Sequence, residues 1–203
     1  MATGDPYIST AELADFLGMD AAAEAAAGTL LEVAVDAASR WVEGYTRRDF
    51  NLATAATARY YDTTDTGRVL VDDIGHATVT VATDTSQDGT WATSWAASDL
   101  QVSPLDALAA SEPVTSLLAV GAYTFPEVTR RQGLIRVTAR WGWPAVPDAV
   151  KQATYIHAAR LYKRRESPTG VLGGGDFGLV RVGTIIDPDV EQLLGPYRYL
   201  TVG

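Results

Sequence analysis

Two histidines, His76 and His157, are the only imidazoles among 203 residues. Acid–base or nucleophilic chemistry at either would need a hydroxyl or carboxylate partner held by a recognisable motif. Neither sits in one. His157 falls on the apolar side of a helical repeat, which points to packing in a core or an interface. His76 lies in a Gly-His turn between strand segments, where a solvated turn residue is at least as good a reading. No G-x-S-x-G supplies a serine nucleophile. Without a single cysteine there is no thiolate, no disulfide and no cysteine-ligated zinc.

The carboxylates offer two further openings. Asp84, Ser86, Asp88 and Gly89 imitate the first half of a calcium loop, but the twelfth position, where a bidentate glutamate belongs, is Trp95. A hairpin turn is the better reading. Asp72 and Asp73 have the character of a metal or acid–base pair, and a hydrolase built on them needs His76 or another acid brought alongside. A solvated strand end is the simpler reading. Gly173, Gly174, Gly175 and Gly178 suggest a phosphate cradle, yet no Lys-Ser or Lys-Thr pair follows and no helix begins there, so a hinge or arm is preferred. Lys163, Arg164 and Arg165 are open to three readings: contact with a phosphate backbone, contact with an acidic neighbour, or a solvated helix end. Neither a catalytic residue, nor a metal, nor a cofactor is expected.

Composition bounds the rest. With 47% hydrophobic and 20% charged residues the chain has an ordinary globular mix, and its length suits one compact body with an elaboration. No apolar run reaches the roughly 18 residues of a membrane span, and the opening MATGDPYIST lacks a basic stretch followed by an apolar one. The expectation is a soluble protein made in the cytoplasm, with no membrane partner. The net charge of −9 is unevenly spread. Residues 1–127 hold 5 basic and 19 acidic side chains, net −14, and residues 128–203 hold 11 basic and 6 acidic, net +5. Such a bipolar chain favours contacts between unlike surfaces of neighbouring molecules, whereas simple nucleic-acid binding predicts a basic whole.

Helices must carry the two ends. Ser9 and Glu12 have capping-box spacing ahead of Leu13, Phe16 and Leu17, and Gly18 stops the segment. From about Ala21 to Thr46, Leu30, Leu31, Ala34, Ala37, Ala38, Trp41, Val42 and Tyr45 recur at three- and four-residue steps. From Arg59 to about Arg140 the period changes to two, as in Arg68–Val71 and Thr78–Val81, with a turn at Asp84–Gly89 and further strands at Asp99–Ser103 and Gly133–Trp141. Asp148 then caps a helix from about Ala149 to Arg165, with Val150, Ala153, His157 and Leu161 on one face and Lys151, Arg160, Lys163, Arg164 and Arg165 on its outer side and last turn. A glycine-rich stretch from Ser167 to Gly178 leads to a short strand, Leu179 to Ile186, and a last helix begun by Asp187-Pro188 and stopped by Gly195-Pro196. The fold class is therefore α+β. Residues 1–58 and 141–166 form a helical bundle, 59–140 a β-rich insertion, and 167–203 a glycine-hinged C-terminal arm.

The order of these segments carries a resemblance. RWVEGYTRRDF at Arg40–Phe50, WGWPAVP at Trp141–Pro147, YKRRESP at Tyr162–Pro168 and the Asp187-Pro188-Asp189 start resemble the head-to-tail connector (adaptor) proteins of long-tailed bacteriophages, in the longer form of phages that infect actinobacteria. The resemblance implies a structural virion protein of the neck, between capsid portal vertex and tail. About twelve copies would form a ring beneath the portal protein, extend the channel for double-stranded DNA that passes without sequence specificity, and meet a stopper or tail-completion protein. It also implies portal docking by the C-terminal arm, with Val180, Arg181, Val182, Ile185, Ile186, Asp187, Pro188, Leu193, Leu194 and Tyr197 as contacts. The basic helix residues Lys151, Arg160, Lys163, Arg164 and Arg165 would contact a neighbouring subunit or the DNA backbone. The alternatives are a stopper or other head-completion protein, and a free-standing interaction or DNA-binding module.

Overall fold

A computed structural model describes residues 4–164, 171–172, 180–181 and 187–199. The fold is α+β and divides into two compact units, Met1–Arg48 with Val146–Gly203, and Asp49–Ala145.

The first unit is helical. Helix α1 (Thr10–Leu17) starts from Ser9, whose hydroxyl accepts the Glu12 N–H at 3.2 Å while the Glu12 carboxylate accepts the Ser9 N–H at 2.7 Å. This reciprocal box satisfies two N–H groups that a helix start leaves orphaned. Gly18, left-handed at φ 70°, ends the helix. Helix α2 (Ala21–Thr46) is capped by Asp20, whose carboxylate accepts the Ala23 N–H at 2.8 Å. It packs on helix α3 (Asp148–Arg164) through Ala27, Leu31, Ala34, Val35 and Ala38, which share one core with Leu13, Ala14, Ala158 and Ala159. So many alanines at the crossing keep side-chain entropy losses small and let the backbones approach closely. Helix α4 (Pro188–Leu194), begun by Asp187, belongs to this unit as well, with Val190 and Leu194 fully buried. A 3-10 turn, Gly195–Tyr197, follows it.

The expected apolar stripe of α2 needs a correction. Leu31, Ala34, Ala38 and Val42 are buried, whereas Leu30 and Ala37 are exposed and Trp41 and Tyr45 half-exposed. Residues at three- and four-residue steps from Leu30 lie on a different side of the helix from those counted from Leu31, so the apolar positions fall on two faces.

The second unit is built of two antiparallel sheets. One has the order β1 (Thr57–Tyr61), β7 (Ile135–Ala139), β3 (Thr80–Thr83), β4 (Thr93–Ser94), and the other β2 (Arg68–Ile74), β6 (Val114–Ala119), β5 (Leu100–Ser103). Val69, Val71 and Ile74 of β2, Val114 and Leu117 of β6, Val81 of β3, and Ile135, Val137 and Ala139 of β7 meet in one core with Trp95, Phe125 and Trp141. Alternation fixes the faces, as in β2, where Val69 and Val71 point inward while Arg68, Leu70 and Asp72 point out. The central strand β6 is not among the strands expected from sequence.

Trp141-Gly142-Trp143 fastens the point where the chain enters and leaves this unit. The Trp141 indole N–H donates to the Thr57 carbonyl at 2.9 Å, the Trp143 indole N–H to the Asp73 carboxylate at 3.0 Å, and the Gly142 N–H to the Asp73 carbonyl at 2.8 Å. The Trp141 carbonyl accepts from Ala53 at 2.8 Å, and the Trp143 ring lies 5.2 Å from that of Phe50. Gly142 takes φ 106°, and a Cβ there would run into the Asn51 carbonyl oxygen, so only glycine fits. These bonds tie residues 49–57 and 141–145 to the sheets rather than to the bundle. The unit boundaries accordingly fall at 48/49 and 145/146.

Candidate assembly surfaces

The acidic and imidazole side chains with catalytic potential each have a structural partner. Asp72 accepts from Arg59 at 2.6 Å and from the Tyr61 hydroxyl at 2.8 Å. Burial, reinforced by that carboxylate, pushes the Tyr61 hydroxyl well above its usual range. Asp73 accepts the Trp143 indole, and His76 accepts the Thr78 N–H on Nδ1 at 3.1 Å within its own turn. Among the described residues no group of three or more His, Asp or Glu side chains is placed to hold a metal ion. Nor is any helix among them long and apolar enough to cross a membrane. Gly173, Gly174, Gly175 and Gly178 lie outside the described residues.

The Asp84–Gly89 segment is a turn that clamps a second loop. The buried Asp84 carboxylate accepts the N–H groups of Asp88, at 3.2 Å, and Gly89, at 2.8 Å. Gln87, left-handed at φ 56°, projects its amide into the 127–131 loop. Its oxygen accepts from Thr129, Arg130 and Arg131, and its nitrogen donates to the Glu127 carbonyl and the Thr129 hydroxyl. Beside it, Trp91 packs on Tyr60 with ring centroids 4.8 Å apart and carries the guanidinium groups of Arg131 and Arg136 on its face.

In the helical unit an aromatic stack joins α2 and α3 to the segment after α4. Trp41 stacks on His157 at 4.2 Å and on Tyr45 at 5.1 Å, and Arg198 lies over the Tyr45 ring at 5.0 Å. The Tyr199 N–H donates to the Thr46 carbonyl at 2.8 Å, capping the end of α2, and Arg48 lies over the Tyr199 ring. His157 is held below its ordinary pKa, chiefly by burial and then by Arg160, against an opposing pull from Asp187. Packing is therefore the role of His157.

Of the residues expected to dock the portal, Val180 and Arg181 form strand β9, whose backbone pairs with β8 (Val171–Leu172), while Val182, Ile185 and Ile186 lie outside the described residues. Asp187 caps α4, Pro188 is exposed, Leu193 and Tyr197 are half-buried, and Leu194 is in the core. Of the basic set, Lys151 and Arg160 are half-buried and Lys163 and Arg164 exposed. Arg165 lies outside the described residues.

One apolar surface is not among the sites expected from sequence. Opposite its buried side, α2 presents Ala22, Ala26, Leu30, Val33 and Ala37 to solvent, with Leu30 41% and Val33 62% exposed. The spacing of four, four, three and four residues is its signal in the sequence, but these positions interleave with those of the buried stripe, so periodicity alone does not separate the two faces. A second apolar patch in the β unit joins Leu70 and Val128, with Asp62, Thr63, Thr64 and Glu127, around an open groove of about 600 Å³.

No protein-family model matches the sequence. No curated protein matches it either. Among solved structures, the chain is similar to one in the neck of an empty GTA particle computed with C6 symmetry, with a TM-score of 0.54 and 21% identity over 97% of this chain and 91% of that one. A chain of the virion of a native gene transfer agent (GTA) particle aligns over the same shares at 20% identity and a TM-score of 0.49. The first likeness establishes a shared fold along nearly the whole chain.

Proposed function

We propose that this chain is a structural subunit of the neck of a phage-like particle, and within the neck the head-to-tail adaptor. The observation that carries this reading is the fold it shares, over 97% of its length, with a chain from the neck of a GTA particle. The site chemistry agrees with a structural role, because the acidic and imidazole side chains with catalytic potential serve as caps, ion pairs and packing partners.

About twelve copies form a ring beneath the portal protein, a number compatible with the sixfold symmetry applied to that neck. Repetition of one contact between unlike faces closes such a ring. Double-stranded DNA passes through the lumen without sequence-specific contacts, and few phosphate contacts would hold it in a chain of net charge −9. The C-terminal segment docks the portal, with α4 fixed to its own bundle by Val190 and Leu194 and with Pro188 and Asp189 exposed for contact. The opposite side of the ring meets a stopper or tail-completion protein.

The stopper itself is the second reading, favoured by the two-sheet unit Asp49–Ala145. Co-purification separates the two. An adaptor binds the isolated portal protein, and a chain that binds tail components while ignoring the portal is not the adaptor.

A further inference from the structure

A helix that is apolar on one side and charged on the other is complete once its apolar side is buried. Helix α2 is not complete in this sense. Its inner side is filled by Ala27, Leu31, Ala34, Val35 and Ala38 against Ala158 and Ala159 of α3. Its outer side, turned away from that core, carries Leu30 and Val33 among Ala22, Ala26 and Ala37. Along one flank of this stripe run Glu32 and Asp36, both exposed and without a cation partner among the described residues. No basic residue occurs between Asp20 and Ser39. The stripe is thus an apolar strip with a negative rim.

The complementary charge lies on the same chain but on another helix. Lys163 and Arg164, in the last turn of α3, are exposed and have no carboxylate partner among the described residues. They cannot neutralise the α2 rim within one molecule, because α3 packs on the opposite side of α2. Two α2 stripes set against each other would bring like charges together, which disfavours a symmetric dimer through this face.

We propose that the outer face of α2 receives the basic end of α3 from a second copy of this chain, with Leu30 and Val33 covered and Glu32 and Asp36 facing Lys163 and Arg164. The contact is heterologous, so each copy keeps one unlike face free, and the chain of contacts grows until it closes. Burial of the apolar strip supplies the attraction, and the charges select which faces meet. This deepens the ring reading above and names its subunit contact.

The absence of cysteine makes the contact directly testable in the full chain. Val33→Cys and Lys163→Cys are introduced separately and together, oxidised, and resolved without reductant. The double variant is expected to give a ladder reaching beyond the dimer, a mixture of the two single variants to stop at the dimer, and either single variant alone to stay monomeric. Glu32→Lys with Asp36→Lys in the double-cysteine background should abolish the ladder. Adding Arg164→Glu should bring back part of it. A dimer from Val33→Cys alone, or no ladder from the double variant, overturns the contact. If the ladder is missing while the chain still forms rings on the portal, this interface is wrong and the adaptor reading stands. If rings are missing as well, both fail.

Discussion

Trp41 lies face to face with His157, ring centroids 4.2 Å apart and planes 27° from parallel, so that α2 and α3 are joined by a neutral imidazole under an indole. Burial first, and Arg160 second, hold the His157 pKa below its ordinary value of 6.5. In the unfolded chain the imidazole binds a proton at higher pH than in the fold. Stability is therefore fully present above about pH 6.5 and is lost as pH falls from there through the lowered folded value. Urea denaturation between pH 7.5 and 5.5 should show this loss, and His157→Gln should flatten the dependence over that range. An unchanged slope would mean that other groups set it.

The α1 capping box gives a local prediction. Ser9 supplies both the hydroxyl that accepts the Glu12 N–H and the backbone N–H that holds the Glu12 carboxylate, a bond that lowers the Glu12 pKa. Ser9→Ala should cost about 1 kcal/mol, the usual worth of an N-cap, read as a lower midpoint with an unchanged denaturant slope.

Two glycines should respond in opposite directions. Gly142→Ala places a Cβ against the Asn51 carbonyl at a left-handed backbone, and should destabilise the chain by about 2 kcal/mol or more. Gly28→Ala, within α2, meets nothing within 4 Å and should stabilise it by up to about 1 kcal/mol through helix propensity. Thermal melts of the pair compare the two.

Gln87 makes a prediction about dynamics. Its amide satisfies the N–H groups of Thr129, Arg130 and Arg131 from across the turn. Gln87→Gly keeps the left-handed backbone and removes the clamp, so hydrogen exchange at those three amides should accelerate at least about tenfold, given the roughly 1.4 kcal/mol lost with such bonds. Exchange within β7 should remain close to that of the parent.

Much of the fold was legible because local chemistry and tertiary packing agreed. Ser9, Glu12 and Gly18 bracket α1, the alternation in Arg68–Val71 marks β2, and Asp84–Gly89 forms the expected turn. Strand β6 was not legible, since Val114, Ser116 and Leu117 are all buried and the residues do not alternate cleanly. A central strand covered in part on both faces loses the period that identifies a half-exposed one. The surfaces were harder to read. Leu30 and Leu31 are adjacent and equally apolar, yet one is exposed and the other buried, and only the packing of α3 decides which. Asp73 read as an acid of uncertain purpose because its partner, Trp143, lies seventy residues away in sequence. The paired cation of Asp72, Arg59, could be placed only by the meeting of β1 and β2.

The central claim is that this chain is a ring subunit at the neck of a phage-like particle. Electron microscopy of the chain assembled with the portal protein of its own particle, or of the intact particle with this chain labelled, tests it most directly. The account predicts a closed ring of about twelve copies between the capsid vertex and the tail, with the helical unit at the contacts between copies. A chain found only in the tail, or one that leaves the portal undecorated at saturating concentration, would contradict it.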